Sequence, residues 1–357
     1  MKDIYRKVVE LFAENRMSVL ATIIKQTGSA PRGMGTKFLI MEDGSFVGTI
    51  GGGLLEAKVL EGAKKVFETR LPERLSFILK GVDVAGTDML CGGDAEVFLE
   101  PLSPEHQTHL EIMKRSLEIQ KWGGSGLLAL SVLPDRWKTA QVPKVFLQAD
   151  GGKIGSLPGM EDLEERLVAE MPRLLKGRQP TIAAHQDKEG NPLEFYLEPI
   201  MSDPVLYVFG GGHVSLQIVP LAGLVGFKVV VIDDRPEFAD PRKFPAATNV
   251  LQYPFEGVLD RLAVDDSSYL VIVTRGHLHD KTVLTQCLKT DAKYIGMIGS
   301  RRKVAILFKA LLGEGFSQDK LDRVHAPIGL DIGAETPEEI AVSIVAELIS
   351  IRAGRKR

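Results

Sequence analysis

The chain has 357 residues, 44% of them hydrophobic and 25% charged, which is ordinary for a globular protein of about two domains. Forty-four basic and 47 acidic residues give a net charge of −3 without a long basic block, which argues against a nucleic-acid partner. No apolar run approaches the length of a membrane span or the core of a signal peptide, so we expect a cytoplasmic protein with no membrane partner.

The sequence of the first 200 residues predicts the same succession of helices and strands two times. A helix in "MKDIYRKVVELFAENR" precedes strands in "VLATIIKQ" and "TKFLIM", a helix in "LLEAKVLEGAKKVFET" and a strand in "AEVFLEP". The order of the elements that follow this first helix returns from "GLLALSVL" to "LEFYLEP". The matching positions are Asp43 with Asp150, Gly44 with Gly151, Gly48 with Gly155, and "FLEP" at Phe98 with "YLEP" at Tyr196. We therefore predict an N-terminal α+β domain at 1–200, a degenerate internal repeat of copies 1–105 and 106–200.

The second copy lacks three glycine-rich loops of the first. It has no counterpart of "TGSAPRGMG", "GTIGGG" or "MLCGG". If this half of the chain has a functional site, its loops therefore come from the first copy.

From Pro204 onward, strands alternate with helices. The strands "VLYVFG", "KVVVID", "YLVIVT" and "YIGMIG" are short and apolar, as in a parallel sheet covered on both faces. Thr336, Pro337 and Glu339 predict the capped start of the last helix. The predicted fold class is α/β, in which the N-terminal α+β domain precedes a Rossmann-like domain at 203–357.

The stretch "VFGGGHVS" is typical of a dinucleotide site. Gly210 would form the tight turn, Gly212 would let the backbone approach a pyrophosphate, and Ser215 takes the place of the third glycine. Asp233 ends the next strand, where its carboxylate could bind ribose hydroxyls and repel a 2′-phosphate. The alternative is an α/β fold that has lost its ligand.

Two further loops of this domain carry candidate residues. "TRGHLHD" offers His277, His279 and Asp280 as an acid and base, or as metal ligands with His213; equally, its histidines could bond neighbouring backbone. In "GMIGSRRK", Arg301 and Arg302 lie in the first turn of a helix, where cations oppose the helix dipole. A bound anion would reverse that cost, and the alternative is a solvated surface turn.

Two loops of the first copy predict an anion site. Arg32 in "TGSAPRGMG" can hold an oxyanion through two hydrogen bonds. In "GTIGGGLLE", Gly51, Gly52 and Gly53 precede a helix with Glu56 one turn in, so backbone N–H groups converge there. Glycine triplets also occur where backbones pack closely.

Two cysteines are too few for a disulfide framework, so each needs its own explanation. Cys91 precedes Gly92 and Gly93, and a nearby arginine or helix N-terminus would lower its pKa, which makes it the candidate reactive residue. Cys287, within an apolar helix, is predicted to be a small core residue.

Eight motifs in order resemble the XdhC/CoxI family, the accessory factors of xanthine dehydrogenase and related molybdenum hydroxylases. They are "TGSAPRGMG", "GTIGGGLLE", "CGGDAEVFLEP", "VFGGGHVS", "VIDDRPEFA", "TRGHLHD", "YIGMIGSRRK" and "HAPIGLDIGAETPEEIAVSIVAEL". The resemblance covers nearly the whole chain and is least distinctive from His106 to Pro199. One departure is Leu54, a position often occupied by Cys or His in the family, which leaves Cys91 as the thiol of the first-half site.

The resemblance implies a chaperone for molybdenum cofactor, as molybdopterin or its dinucleotide form. Such a protein binds and protects the cofactor, presents it to a cysteine desulfurase for addition of the terminal sulfur, and delivers it to the apo-molybdenum hydroxylase. We also expect a homo-oligomer. The alternative is an NAD-dependent oxidoreductase that uses the Rossmann-like domain, in which case NAD or another nucleotide would be the cofactor.

Overall fold

The structure of the chain, a computed structural model, describes residues 2–28, 32–78, 93–133, 141–187 and 189–354. The chain divides into an N-terminal unit, Met1–Ser202, and a C-terminal unit, Asp203–Arg357. Among the helices in these ranges, none combines the length and the apolar character needed to cross a bilayer.

The N-terminal unit consists of two successive repeats of the same elements. The first repeat contains α1 (Lys2–Ala13), β1 (Ser18–Thr27), β2 (Lys37–Met41), β3 (Phe46–Gly48), α2 (Gly53–Thr69), β4 (Glu73–Ile78) and β5 (Asp94–Leu102). The second contains α3 (Gln107–Trp122), β6 (Ser125–Ser131), β7 (Lys144–Gln148), β8 (Lys153–Ser156), α4 (Glu161–Gly177), β9 (Thr181–Gln186) and β10 (Pro192–Met201).

Each repeat forms an antiparallel five-stranded sheet with the same topology. The strand orders are β3-β2-β1-β5-β4 and β8-β7-β6-β10-β9. Alternate residues of β1 point to opposite faces, which explains its almost unbroken apolar run. Val19 and Ala21 pack under α2, whereas Leu20 and Ile24 join a core that both repeats share with α1 and α3.

Two buried ion pairs link the repeats across this shared core. Lys37 of the first repeat bonds Glu198 of the second, with its Nζ 2.7 Å from both carboxylate oxygens. Lys144 of the second repeat bonds Glu100 of the first. Because Lys37 corresponds to Lys144 and Glu100 to Glu198, the pairs are exchanged symmetrically between the copies, and breaking either would leave a buried charge without its partner.

The C-terminal unit is a parallel sheet covered by helices on both faces. Its elements are β11 (Val205–Phe209), α5 (His213–Leu224), β12 (Lys228–Asp233), β13 (Asn249–Gln252), β14 (Tyr269–Ile272), α6 (His277–Cys287), β15 (Tyr294–Met297), α7 (Arg301–Gly313), α8 (Gln318–Asp322), β16 (Val324–His325) and α9 (Pro337–Arg352), with 3₁₀ turns at Pro241–Lys243 and Leu259–Arg261.

The strand order β13-β12-β11-β14-β15-β16 is that of a Rossmann fold. One core lies against α6, α7 and α8, and the other against α5 and α9. Thr336 and Glu339 form the predicted capping box of α9. The fold class predicted from the sequence is confirmed: antiparallel sheets come first and a Rossmann domain follows.

Candidate functional site

A pocket of about 490 Å³ lies in the N-terminal unit where the first repeat's loops contact the second repeat. This pocket, called the Arg32 pocket below, is lined by Ile4, Arg32, Met34, Gly35, Thr36, Lys37, Gly48, Thr49, Arg178, Gln179, Pro180, Glu198 and Pro199. Its volume is within the usual range for small-molecule sites. The structure thus brings predicted Arg32 and the start of the "GTIGGG" loop to one cavity.

The loop that carries Arg32 is held by close contact with the second repeat. Gly35 has φ +88°, and its N–H donates to the carbonyl of Ile23 at 2.8 Å. A Cβ at Gly35 would lie 2.7 Å from Cγ of Pro180 and 3.3 Å from the hydroxyl of Tyr196. Only glycine suits this position, because any side chain would push the loop away from the second repeat.

The charges of the Arg32 pocket are unequally compensated. Lys37 and Glu198 neutralise each other, and both side chains are only 3% exposed. Within the described residues, neither Arg32 nor Arg178 forms an ion pair. The pocket therefore carries two uncompensated guanidinium groups, one from each repeat.

A closed cavity of about 20 Å³ lies on the other side of the Lys37–Glu198 pair. The hydroxyls of Tyr5 and Tyr196 and both ring nitrogens of His109 are buried at this cluster and have no hydrogen-bond partner among the residues that the structure describes. Burial, reinforced by the charges of Lys144 and His106, lowers the pKa of His109 well below its ordinary value. The cavity suits an ordered water that bonds these groups.

Glu56 accepts hydrogen bonds from the glycine loop that precedes α2. Its carboxylate accepts the N–H groups of Ile50 (3.1 Å) and Gly52 (2.9 Å) and the Thr49 hydroxyl. Glu164, at the same place in α4, likewise accepts the N–H of Leu157. A contact present in both copies stabilises the loop, and it occupies N–H groups that the sequence assigned to an anion. Cofactor binding by Glu56 stays a prediction.

The glycine triplet includes a backbone conformation that the second copy cannot reproduce. Gly51, Gly52 and Gly53 have φ of 126°, 77° and 59°. Pro158 replaces Gly51 in the second copy, and proline cannot adopt positive φ. Leu54 follows with its side chain 44% exposed.

Cys91 and Gly92 lie outside the described residues, so their roles stay predictions. Gly93 is described and is buried immediately before β5. Cys287 is fully buried in a core of the C-terminal unit, and burial raises the pKa of its thiol.

The glycine turn of the C-terminal unit connects β11 to α5. A Cβ at Gly210 would lie 2.4 Å from the carbonyl of Val273, whereas a Cβ at Gly212 would meet nothing within 4 Å. Ser215 is buried and donates to the carbonyl of Gly210, as a substitute for the third glycine. The turn thus has the close packing of a dinucleotide motif and open space at Gly212.

Asp233 ends β12 as expected, but protein donors already surround its carboxylate. It is 1% exposed and accepts the N–H of Gly211 at 2.8 Å, the N–H of Arg235 at 3.0 Å and two guanidinium nitrogens of Arg235. Burial raises the pKa of Asp233, but these bonds outweigh it and hold the pKa below its ordinary value. This carboxylate stabilises the turn; a contact with ribose stays a prediction.

The predicted metal ligands do not form a cluster in the described part of the chain, where no group of three or more His, Cys, Asp or Glu side chains could hold a metal ion. His213 is exposed at the start of α5. Asp280 is buried and accepts the hydroxyl of Thr274 at 2.6 Å. The side chain of His277 is outside the description, and His279 lies 3.4 Å from Nε of Arg275.

Arg301 and Arg302 are exposed in the first turn of α7, as the sequence predicts. Arg301 lies 3.8 Å from Asp331, and both side chains are almost fully exposed. Arg301 also lines a pocket of about 450 Å³ with the loop that follows β16. Whether these residues bind an anion stays a prediction.

Sequence reasoning missed the residues that the second repeat contributes. Arg178 and Gln179 follow α4 in the least distinctive part of the chain. The signal for Lys37 and Glu198 was present: Lys37 matches Lys144 and Glu198 matches Glu100, each beside apolar residues of its strand.

Comparisons with known proteins identify relatives of the whole chain. A family model described as the XdhC Rossmann domain matches residues 206–348, and one described as the XdhC and CoxI family matches residues 11–77. A protein of Bacillus subtilis (strain 168), named as a probable subunit of xanthine dehydrogenase, is 28% identical over 99% of this chain and 98% of its own length. A crystal structure described as a xanthine dehydrogenase from Bacillus halodurans has a TM-score of 0.76 and 26% identity, and the match covers 99% of this chain and 97% of that one.

Two further relatives come from Escherichia coli (strain K12). The "molybdenum cofactor insertion chaperone PaoD" is 20% identical over 98% of this chain and 88% of its own length. The protein YqeB is 25% identical over 98% of this chain, which spans only 46% of YqeB.

Proposed function

Because the chain belongs to the XdhC and CoxI family, we propose that it is an accessory protein that binds molybdenum cofactor and delivers it to a molybdenum hydroxylase of the xanthine dehydrogenase type. The observation that carries the proposal is the Arg32 pocket, where a loop absent from the second repeat contributes a guanidinium that has no ion-pair partner in the described part of the chain. The cofactor ends in a phosphate or pyrophosphate, and arginine binds such groups through two hydrogen bonds. The relative PaoD, named for cofactor insertion, aligns along nearly the whole chain.

The proposal includes finer steps. The chain presents bound cofactor to a cysteine desulfurase, which adds the terminal sulfur, and then releases it to the apo-hydroxylase. The Gly210–Gly212 turn binds a nucleotide or phosphate, since the space at Gly212 is open. A homo-oligomer remains part of this proposal.

We assign the soft ligand for molybdenum to Cys91, because thiolates suit this metal better than the oxygen donors of the Arg32 pocket do. Replacing Cys91 with Ala is expected to reduce the amount of cofactor that remains bound after desalting, while the melting temperature stays close to that of the wild type. Cys287→Ala is the control, since Cys287 lies in a core. Equal retention by wild type and Cys91→Ala would remove Cys91 from the site.

A transfer assay separates the chaperone from the oxidoreductase. The cofactor-loaded chain is mixed with apo-hydroxylase, and hydroxylase activity is followed against an equal amount of free cofactor. A chaperone raises the recovered activity and leaves NADH absorbance unchanged when the hydroxylase is omitted. No gain over free cofactor, or NADH turnover by the chain alone, would refute the proposal.

A further inference from the structure

The charge of Arg178 is not compensated by any of the described residues. Arg178 also lines a pocket together with a second cation, Arg32. It faces the Arg32 pocket, in which Lys37 is already neutralised by Glu198 at 2.7 Å. Arg32 is exposed and Arg178 is half-buried, and like charges that line one pocket repel each other. An anion with two negative charges would remove this repulsion.

The backbone places Arg178 at this position, but does not require an arginine. Arg178 is the left-handed residue that ends α4, with φ 54°, and its N–H donates to the carbonyl of Leu175 at 3.1 Å. Glycine is the usual residue at such a position. The backbone therefore accounts for the conformation of this residue but not for the charge that its side chain brings to the pocket.

The first repeat contains a residue that corresponds to Arg178 but does not line the pocket. Arg70 ends α2 with φ 58°, and its N–H donates to the carbonyl of Val66 at 2.8 Å. Its guanidinium is exposed, lies 4.0 Å from Glu105 and does not line the Arg32 pocket. The two arginines have the same backbone role and differ in what their side chains face.

The rest of the Arg32 pocket restricts the class of ligand. Gln179 adds an amide beside Arg178, and the other walls include the apolar side chains Ile4, Met34, Pro180 and Pro199. This combination suits a molecule with one charged group and an uncharged body. A phosphate monoester fits, since it carries close to two negative charges at pH 7.

We propose that Arg178 of the second repeat, together with Arg32 of the first, binds the phosphate monoester of the ligand in the Arg32 pocket. The inference rests on the proposed function only for the identity of the body, a pterin. The degenerate repeat, which lacks site loops of its own, thus contributes the residue that selects phosphorylated over phosphate-free ligands.

The test measures binding of phenyl phosphate to the full chain by calorimetry, with phenol as the uncharged comparison. Wild type, Arg178→Ala and Arg70→Ala are compared at one ionic strength. We expect Arg178→Ala to bind phenyl phosphate about tenfold to a hundredfold more weakly than wild type, as for loss of a charged hydrogen bond. Arg70→Ala should bind like wild type, because the two substitutions change the backbone equally.

Three results would overturn the inference: no binding of phenyl phosphate to wild type, equal binding by wild type and Arg178→Ala, or an equal loss in Arg70→Ala. The proposed function fails separately. If phenyl phosphate binding depends on Arg178 but the chain neither retains the pterin of the cofactor nor transfers it, the phosphate site stands and the cofactor assignment is wrong.

Discussion

At the scale of single residues, the clearest difference between expectation and structure concerns Asp233. The position at the end of β12 is typical of a ribose-binding carboxylate. The sequence pattern does not reveal that Arg235, two residues later, turns back and bonds both carboxylate oxygens. A short-range bond of this kind depends on the path of the backbone after the strand.

Replacing Asp233 with Asn is therefore expected to destabilise the fold, whatever it does to nucleotide binding. The buried N–H of Gly211 and the guanidinium of Arg235 would lose a charged acceptor, which costs about 1 to 3 kcal/mol of the free energy of unfolding. Chemical denaturation at pH 7 measures it.

A matched control exists in the same unit. Asp240 makes the same contacts with Arg242, but the side chain of Arg242 is 90% exposed. Asp240→Asn should cost clearly less, because exposed ion pairs contribute little. Equal losses in the two variants would contradict the structural role of Asp233.

Glu56 should make the stability depend on pH. Burial raises the pKa of Glu56, but bonds from Thr49, Gly52 and Ile50 outweigh burial and hold the pKa below its ordinary value of 4.5. A carboxyl whose pKa is lowered on folding stabilises the protein above its unfolded pKa, and this contribution is lost as the pH falls through the folded pKa.

The comparison of wild type with Glu56→Gln isolates this contribution. We expect the wild type to be more stable at pH 7 by about 1 to 2 kcal/mol, and the difference to shrink as the pH falls below 4.5. Denaturation series at several pH values give both numbers. Glu61→Gln, exposed on the same helix, should show no such trend, and a difference independent of pH would contradict the account.

At the scale of elements, the sequence predicted the repeat but not the contacts between its copies. The matching "DG" turns and "LEP" strands are local, so they are visible in the sequence. Lys37 and Glu198 lie 161 positions apart in the sequence, and Lys144 and Glu100 lie 44 positions apart. Local patterns cannot assign such partners, and for the same reason Arg178 was missed.

The loop that carries Arg32 depends on one interrepeat contact. Gly35→Ala would place a methyl group 2.7 Å from Pro180, so we expect a loss of about 1 to 3 kcal/mol in stability and weaker binding of phenyl phosphate. Thermal unfolding and calorimetry measure the two effects.

Gly44→Ala separates this clash from backbone strain. Gly44 has a similar φ of +81°, but a Cβ there would meet nothing within 4 Å. The control should lose only the smaller energy that positive φ costs an alanine, and it should bind normally. If Gly35→Ala behaves like Gly44→Ala, the loop is not held by Pro180.

At the scale of the whole molecule, each of the two units has features suited to binding an anion, and these features differ between the units. The N-terminal unit has two guanidinium groups in one pocket that form no ion pair with any described residue, and the C-terminal unit has a glycine turn with open space at Gly212. The succession of an α+β domain and a Rossmann-like domain could be predicted because the hydrophobic periodicity of each strand and helix is visible in the sequence. The site could be predicted only in part, because five of the thirteen residues that line the Arg32 pocket come from the copy without site-like loops.

The most direct test of the central claim measures the pterin that the chain retains. Wild type and the double variant Arg32→Ala/Arg178→Ala are purified in parallel from cells that make molybdenum cofactor, desalted and oxidised, and pterin fluorescence is compared per mole of protein. The account predicts bound pterin in the wild type and a loss of at least about tenfold in the double variant at unchanged melting temperature. Pterin at background level in the wild type, or equal retention by the double variant, would contradict it.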